Sequence, residues 1–210
     1  MQNDKKCDKM KVIGITGGVG SGKSLVLSWL AGQHYASCAV IEADKTAHRL
    51  QQKGNSCYHA IVQEFGRQIL DEREEINRTM LGSMVFGDKE RLERLNAIVH
   101  PLVKQEIIRQ LKDCRRRNDI QYVFIEAALL IEEHYDIICD ELWYIYVDKN
   151  KRIERLKESR GYTDSKIQQM MDRQLDEQTF RSRCQVVIDN NGSAEDTFRQ
   201  IREVLAWQNE

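Results

Sequence analysis

Residues 17–24 read Gly-Gly-Val-Gly-Ser-Gly-Lys-Ser and fit the pattern G-x-x-x-x-G-K-[S/T]. The apolar run 12–15 precedes them and a helical pattern follows, which is the strand-to-helix setting of a phosphate-binding loop. Glycines let the backbone pass close to phosphate oxygens while successive N–H groups point inward. The segment therefore predicts a nucleoside triphosphate site; the alternative is a glycine-rich turn that leaves its lysine exposed.

Two side chains of this loop have predicted roles of their own. Lys23 would reach the terminal phosphates, and Ser24 would offer its hydroxyl to Mg²⁺. The N-terminus of the following helix adds positive potential for the bound anion. The positions expected to bind the triphosphate are Gly18, Val19, Gly20, Ser21, Gly22, Lys23, Ser24 and Leu25.

Asp44 is the candidate carboxylate for phosphoryl transfer, a reaction that needs alignment, charge neutralisation and an oriented attacking oxygen. It follows a predicted strand over 38–43, and the carboxyl ends of strands form the ligand crevice of an open α/β sheet. Asp44 could accept a proton from a hydroxyl acceptor or hold that hydroxyl in line with the γ-phosphate. It could also be only the N-cap of the next helix, and the two roles can coexist.

Other acidic motifs are weaker evidence for a catalytic or nucleotide-binding role than Asp44 is. Asp148 ends an apolar strand in the manner of a Walker B aspartate, but any buried strand that ends in a turn residue fits this pattern, and Glu126 is a comparable candidate. Residues 189–192 match the D-x-x-G of GTPases, yet they follow the last predicted strand and the sequence contains no N-K-x-D. We therefore interpret Asn190 and Asn191 as part of a turn near the nucleotide base.

The elements that must position these residues alternate between short apolar runs and longer amphipathic stretches, which predicts an α/β fold with a parallel sheet. The predicted strands are 12–16, 38–43, 122–126, 142–148 and 186–189. Helical patterns cover 45–53, 57–65 and 88–99, Pro101 is expected to open another helix, and a capping box at 193–196 to start the last one.

The spacing of the strands predicts one domain with two additions to its core. The core is expected at 10–44, 118–148 and 184–207, with a helical substrate-binding insertion at about 45–117. Residues 149–183 are highly charged and rich in arginine, which favours a lid whose arginines gather phosphate oxygens. The alternative for this segment is a solvated helical hairpin.

Composition limits the classes of partner. The chain has 210 residues with 32 basic and 33 acidic side chains, a net charge of -1 that provides no basic field for nucleic acid. Its six cysteines form no C-x-x-C pair, the first nine residues are polar, and no apolar run approaches the ~18 residues of a membrane span. We expect a cytoplasmic protein with reduced thiols, a small-molecule substrate, and neither nucleic-acid nor membrane partners.

Six short motifs, in their order and spacing, resemble those of dephospho-CoA kinases over about residues 11–205. They are Thr16-Gly17-Gly18, Val40-Ile41-Glu42-Ala43-Asp44, Val85-Phe86, Ile98-Val99-His100-Pro101, Leu129-Leu130-Ile131-Glu132 and Val187-Ile188-Asp189-Asn190. The resemblance implies a P-loop kinase fold, with a five-stranded parallel sheet flanked by helices, a helical CoA-binding insertion and a helical lid. It also implies transfer of the γ-phosphate of ATP to the ribose 3′-hydroxyl of dephospho-CoA.

The resemblance also implies roles for single residues. Asp44 matches the proposed catalytic base and Lys23 an ATP ligand, and Ser24 matches the Mg²⁺ ligand. Thr16 and His100 lie in motifs that contact substrate, although a histidine before a proline at a helix start could serve only the backbone. In the lid, the positions that match family arginines are Arg155, Arg173 within Arg173-Gln174 and, only with a shift of one residue, Arg160.

Some positions depart from the family pattern, and two other functions stay open. Leu25 stands where threonine is usual, Glu42 where aspartate is usual, and Ala128 where proline is usual. Another nucleotide-kinase-like phosphotransferase would share the loop, the lid and Asp44 and differ only in its acceptor. A nucleotide-dependent switch or assembly ATPase would hydrolyse ATP without an acceptor.

Overall fold

The computed structural model describes residues 10–32, 38–117 and 119–207, and its sheet has five strands in the order β2-β3-β1-β4-β5. The strands are β1 (Lys11–Thr16), β2 (Cys38–Glu42), β3 (Tyr122–Glu126), β4 (Glu141–Tyr146) and β5 (Val186–Asp189). The predicted α/β fold with a five-stranded parallel sheet is confirmed, and predicted strand positions differ from the observed ones by at most two residues at any end.

Strand β1 is central and pairs in parallel with β3 on one side and with β4 on the other. Val12 lies opposite Val123 and Ile15 opposite Trp143, and β4 continues the sheet by pairing in parallel with β5. A strand covered on both faces and paired on both edges has little freedom to move. The segment that follows Thr16 therefore starts from a fixed point.

The helices occupy the stretches between these strands and after the last one. They are α1 (Lys23–Gly32), α2 (Ala43–Leu50), α3 (Ser56–Phe65), α4 (Arg78–Val85), α5 (Lys89–Arg116), α6 (Lys149–Arg160), α7 (Asp164–Met171), α8 (Glu177–Arg183) and α9 (Ala194–Trp207). Short 3₁₀ helices cover Arg67–Ile69 and Tyr135–Ile138.

Helices α1 and α9 share a core cluster with one face of the sheet. Buried apolar side chains of β1, β4 and β5 meet those of α1 and α9, and Trp29 stacks on Phe198 with ring centroids 4.7 Å apart. The members from the two helices include Val26, Leu27, Leu30 and Ile201. Burial of so much apolar surface fixes the helix that carries Lys23 and Ser24 in its first turn.

The expectation that Pro101 opens a helix is wrong, because α5 runs through this residue from Lys89 to Arg116. Pro101 is exposed, and a proline inside a helix removes one hydrogen bond and bends the helix. The buried side chains Val99, Val103, Ile107 and Leu111 repeat every four residues and form one stripe on both sides of the proline. Continuity of that stripe outweighs the single lost hydrogen bond.

The described chain divides into two compact units, one formed by residues up to Val40 and from Cys114 onwards, the other by Ile41–Asp113. The second unit has its own core around Cys57, Ile61 and Phe65. In the described part of the chain, no helix is long and apolar enough to cross a membrane.

The predicted capping box at the start of α9 is confirmed. The amide of Asp196 donates to Ser193 Oγ at 3.2 Å, and the amide of Ser193 donates to Asp196 Oδ2 at 3.3 Å. The two side chains thereby satisfy backbone donors that a helix N-terminus leaves without partners.

The five cysteines that the structure describes carry free thiols. Burial raises the pKa of Cys184 to about 12, and burial with the nearby Asp140 and Asp136 carboxylates raises the pKa of Cys139 to about 12. At pH 8 a thiol with this pKa is present as thiolate in only ~10⁻⁴ of molecules. The thiolate is the reactive form, so both side chains should be chemically inert in the folded protein.

We therefore expect iodoacetamide at pH 8 to leave Cys139 and Cys184 unmodified in the folded protein, while half-buried Cys114 reacts faster. Site-resolved mass spectrometry of samples alkylated in buffer and in denaturant measures this. Both thiols should react readily once the chain is unfolded and their pKa returns to the ordinary range. Equal labelling of Cys184 in the two conditions would contradict its burial.

Candidate active site

The phosphate-binding loop adopts a backbone conformation that favours glycine at Gly17, Gly20 and Gly22, and two of these positions are also crowded. Gly17 and Gly22 have φ values of 152° and 88°. A Cβ at position 17 would lie 2.7 Å from the carbonyl oxygen of Ile145, and one at position 22 would lie 2.3 Å from Asn190 Nδ2. The loop thus packs tightly against β4 and the residue after β5, and a side chain at either glycine would displace it.

The polar side chains of the loop differ in their surroundings. Lys23 Nζ donates a hydrogen bond to the carbonyl oxygen of Gly17 at 2.7 Å, which places its ammonium at the start of the loop. Ser24 and Leu25 are exposed in the first turn of α1. Ser21 is buried, and its Oγ has no hydrogen-bond partner among the described residues.

These features fit the phosphates of ATP. The orphaned hydroxyl of Ser21, the glycine-lined backbone, the ammonium of Lys23 and the N-terminus of α1 are all groups that interact favourably with anions. For Mg²⁺, the exposed hydroxyl of Ser24 is the available protein ligand. No group of three His, Cys, Asp or Glu side chains in the described residues is placed to hold a metal, and Mg²⁺ bound with a nucleotide takes most ligands from phosphates and water.

Asn190 holds the loop through a buried side chain whose nitrogen and oxygen each form a hydrogen bond. Its Nδ2 donates to the carbonyl oxygen of Ser21 at 2.7 Å, and its Oδ1 accepts from Thr197 Oγ1 at 2.7 Å. Its backbone N–H donates to the carbonyl oxygen of Tyr146 at 2.8 Å. The residue is only 2% exposed. The sequence predicted a turn here, and the structure adds that the buried amide of this turn holds the loop.

Asn191 connects the same turn to the start of α6. Its Oδ1 accepts from the amide of Asp148 at 3.0 Å, and its carbonyl oxygen accepts from Lys151 Nζ at 2.6 Å. Asp148 is the N-cap residue of α6, and its exposed side chain follows the end of β4. The Asn190–Asn191 pair thereby fixes both the loop and the first turn of α6.

Helix α6 lies directly against the loop. Arg155 Nη2 donates to the carbonyl oxygen of Asn190 at 2.9 Å. Leu156 is 2% exposed, and its Cγ lies 3.1 Å from where a Cβ would stand at Gly20. One helical turn earlier, Arg152 Nη1 lies 1.8 Å from where a Cβ would stand at Gly18. Arg155, which the sequence expected to contact phosphate, thus contacts the turn at Asn190 that holds the loop.

The other two predicted lid arginines lie elsewhere. Arg160 is exposed, with its guanidinium carbon 6.0 Å from the centroid of the Tyr162 ring, and its hydrogen bond to the tyrosine lowers the pKa of that phenol. Arg173 is exposed, whereas the next residue, Gln174, accepts a hydrogen bond from the amide of Val19 at 2.9 Å. In the Arg173–Gln174 pair it is the amide side chain that contacts the loop.

Sequence reasoning missed Arg152 and left out Gln174. The spacing of Arg152 and Arg155 held the signal for the first, because residues three apart on a helix share a face. The family motif Arg173-Gln174 includes Gln174, but only its arginine was chosen as a candidate, and no local pattern shows the contact of Gln174 with Val19, 155 positions away.

The remaining predicted residues lie as follows. Thr16 is 2% exposed at the end of β1. Asp44 is exposed in the first turn of α2, but the N-cap of this helix is Glu42, so the interpretation of Asp44 as an N-cap is wrong. The Glu42 carboxylate instead pairs with Lys45 at 2.6 Å. His100 is half-buried inside α5 and not at a helix start.

Comparisons with known proteins agree with this geometry. A model of the dephospho-CoA kinase family matches residues 11–196. A dephospho-CoA kinase of Geobacter sulfurreducens is 37% identical over 197 residues, which cover 94% of this chain and 98% of the relative. One from Shouchella clausii is 34% identical over 194 residues, covering 92% and 96%.

Solved structures show the same fold. A crystal structure from Thermus thermophilus has a TM-score of 0.78 and 29% identity, and covers 94% of this chain and 97% of its own. A shikimate kinase from Acinetobacter baumannii, at a TM-score of 0.53, 16% identity and 98% coverage of both chains, shares the fold alone. Together with the family match over residues 11–196, the two relatives above 30% identity establish that this chain belongs to the dephospho-CoA kinase family.

Proposed function

We infer that this chain is an ATP-dependent kinase that transfers the γ-phosphate of ATP to the ribose 3′-hydroxyl of dephospho-CoA and releases CoA and ADP, the last step of coenzyme A synthesis. The observation that carries the inference is the triphosphate loop of residues 17–24 inside a family match that extends over residues 11–196. An alcohol acceptor agrees with the phosphotransferase chemistry of this family.

The donor half of the reaction rests on the loop and α1. Its backbone amides hold the phosphates, and Lys23 places a positive charge at the terminal phosphates where charge shifts during transfer. Ser24 would hold Mg²⁺, which neutralises charge on the β- and γ-phosphate oxygens when bound. Phosphoryl transfer has little covalent work for the protein, so this preorganised charge accounts for much of the expected rate gain.

The acceptor half is assigned to Asp44. As the 3′-hydroxyl oxygen attacks the γ-phosphorus, the carboxylate takes the hydroxyl proton, the bond from phosphorus to the β–γ bridging oxygen breaks, and ADP leaves with the electron pair. Asp44 is suited to this role because it is exposed, lies two residues after the end of β2 and does not cap α2. Its first-turn position in α2 holds its backbone in place while its side chain stays accessible.

Other residues are assigned supporting roles. We place dephospho-CoA binding on residues 45–117, including His100, and at Thr16 beside the loop. Residues 149–183 would act as the lid, with Arg155 at the loop and with Arg160 and Arg173 free to meet the nucleotide only if the segment moves. Asn190 and Asn191 support the loop next to the nucleotide, and the protein would act in the cytoplasm.

A turnover panel tests the function. Purified protein with Mg²⁺ and ATP should release ADP only when dephospho-CoA is added, and the product should carry one new phosphate on the ribose 3′-oxygen by mass and nuclear magnetic resonance analysis. Shikimate and nucleoside monophosphates serve as control acceptors for a phosphotransferase of different specificity. Equal ADP release without any acceptor would indicate an ATPase and contradict the kinase assignment.

Lys23→Ala should reduce kcat by about 10²-fold or more, because a fixed charge on the transferring phosphoryl group is lost. The matched control is Arg199→Ala, which removes an exposed basic side chain on α9, outside the proposed substrate-binding and lid segments, and should leave turnover unchanged. Steady-state kinetics of both variants with saturating ATP measure the effect. Wild-type turnover of Lys23→Ala would show that the ammonium has no part in transfer.

Asp44→Asn should slow transfer by about 10²-fold while ATP binding stays unchanged, because the amide keeps the shape of the side chain but cannot accept the proton. Glu203→Gln, a charge-neutralising change at an exposed position of α9 and outside the proposed substrate-binding segment, is the matched control. Calorimetry gives ATP affinity and quenched-flow gives the transfer rate. If transfer proceeds at the wild-type rate, Asp44 is not the base.

A further inference from the structure

Arg152 fills the space that a side chain would occupy at position 18 of the loop. Its Nη1 and Cζ atoms lie 1.8 and 2.9 Å from the position of a Cβ at Gly18, and Gln174 Oε1 lies 3.4 Å from the same point. The backbone of Gly18 is not among those with a positive φ. A side chain at this position would therefore meet the guanidinium, whereas the local backbone conformation would accept one.

The guanidinium of Arg152 lies near the first residues of the loop, where the ammonium group of Lys23 also lies. Lys23 Nζ donates to the carbonyl oxygen of Gly17, the residue next to Gly18. Arg155, on the next turn of α6, lies at the other end: it bonds to the carbonyl oxygen of Asn190, and its Nη1 is 3.8 Å from a Cβ position at Gly22. The two arginines of one helix face therefore contact different ends of the loop.

The position of Lys23 indicates which phosphates lie near Gly17 and Gly18, because the lysine of this loop type reaches the β- and γ-phosphates. A guanidinium offers five donors in a planar fork that matches phosphate oxygens. Arg152 Nε is buried and has no hydrogen-bond partner among the described residues. Gln174, bonded to Val19, and Leu156, packed at Gly20, hold the two loop residues that follow Gly18.

We propose that Arg152 is a second cation of the triphosphate site, which binds the γ-phosphate of ATP beside Lys23 and so distinguishes ATP from ADP. The proposal rests on the inferred kinase function only in that the γ-phosphate is the group transferred. Arg152 would then stabilise the charge on the three outer oxygens of that group during transfer. The sequence had named Arg155, Arg160 and Arg173 as the lid arginines that contact phosphate oxygens.

Binding of ATP and of ADP to the full-length protein, measured by calorimetry, tests the proposal. Arg152→Gln should weaken ATP binding by about 10- to 100-fold, as expected for loss of hydrogen bonds to a charged group, and ADP binding by less than about 3-fold. Arg155→Gln should weaken both nucleotides by similar factors because it acts at the other end of the loop. Arg199→Gln removes an exposed arginine on α9, outside the lid, and is the control for lost charge.

Gly18→Ala tests the same contact without removing the charge, since its methyl group would displace the guanidinium. It should reproduce the selective loss of ATP affinity, and adding it to Arg152→Gln should change ATP affinity by less than about 2-fold, because both changes remove one interaction. If one variant does not fold, as judged by thermal melting, the other still gives the ATP-to-ADP ratio.

Two outcomes would overturn the proposal: equal weakening of ATP and ADP by Arg152→Gln, or fully additive effects of the two substitutions. Failure of the kinase assignment looks different. In that case the wild-type protein would not phosphorylate dephospho-CoA, while the selective effect of Arg152→Gln on ATP binding would persist.

Discussion

The hydrogen bond from the buried Asn190 side chain to the carbonyl oxygen of Ser21 is the constraint on which the site depends. A buried amide without partners costs about 1–3 kcal/mol, so Asn190 must keep both Ser21 and Thr197 within reach. The same contact dictates glycine at position 22, where a Cβ would collide with the amide nitrogen. The shape of the phosphate-binding loop is thus set partly by a residue that is 169 positions away in sequence.

The position of α6 follows from that constraint. Arg155 bonds to the backbone of Asn190, and Leu156 packs on the loop, so the helix is held by a polar and an apolar contact at once. The segment that follows buries Ile167 and Phe180, and Phe180 stacks on Tyr144 of β4 with ring centroids 4.9 Å apart. A solvated hairpin would leave these side chains in water. Residues 149–183 therefore combine an apolar attachment to the sheet with a charged surface.

The sequence predicted well what contiguous residues encode. The loop motif, the five strands and the capping box at Ser193 depend on local patterns, and the structure contains all of them. It predicted poorly what depends on distant contacts or on helix rotation. Each residue turns a helix by about 100°, so Arg152 meets the loop while Arg160 faces solvent, although the two look alike in sequence. For Pro101, a local rule was overridden by the buried stripe of α5.

The turn at Asn191 also affects the chemical stability of the protein. An asparagine followed by glycine, as here before Gly192, is the sequence context most open to spontaneous deamidation, since glycine hinders ring closure least. Asn191 Nδ2 donates to Asp189 Oδ1 at 2.8 Å, and conversion to aspartate would replace this bond by two facing carboxylates. Their repulsion would loosen the residue that accepts from the amide of Asp148. Chemical damage at one surface amide would thus reach the nucleotide site through the first turn of α6.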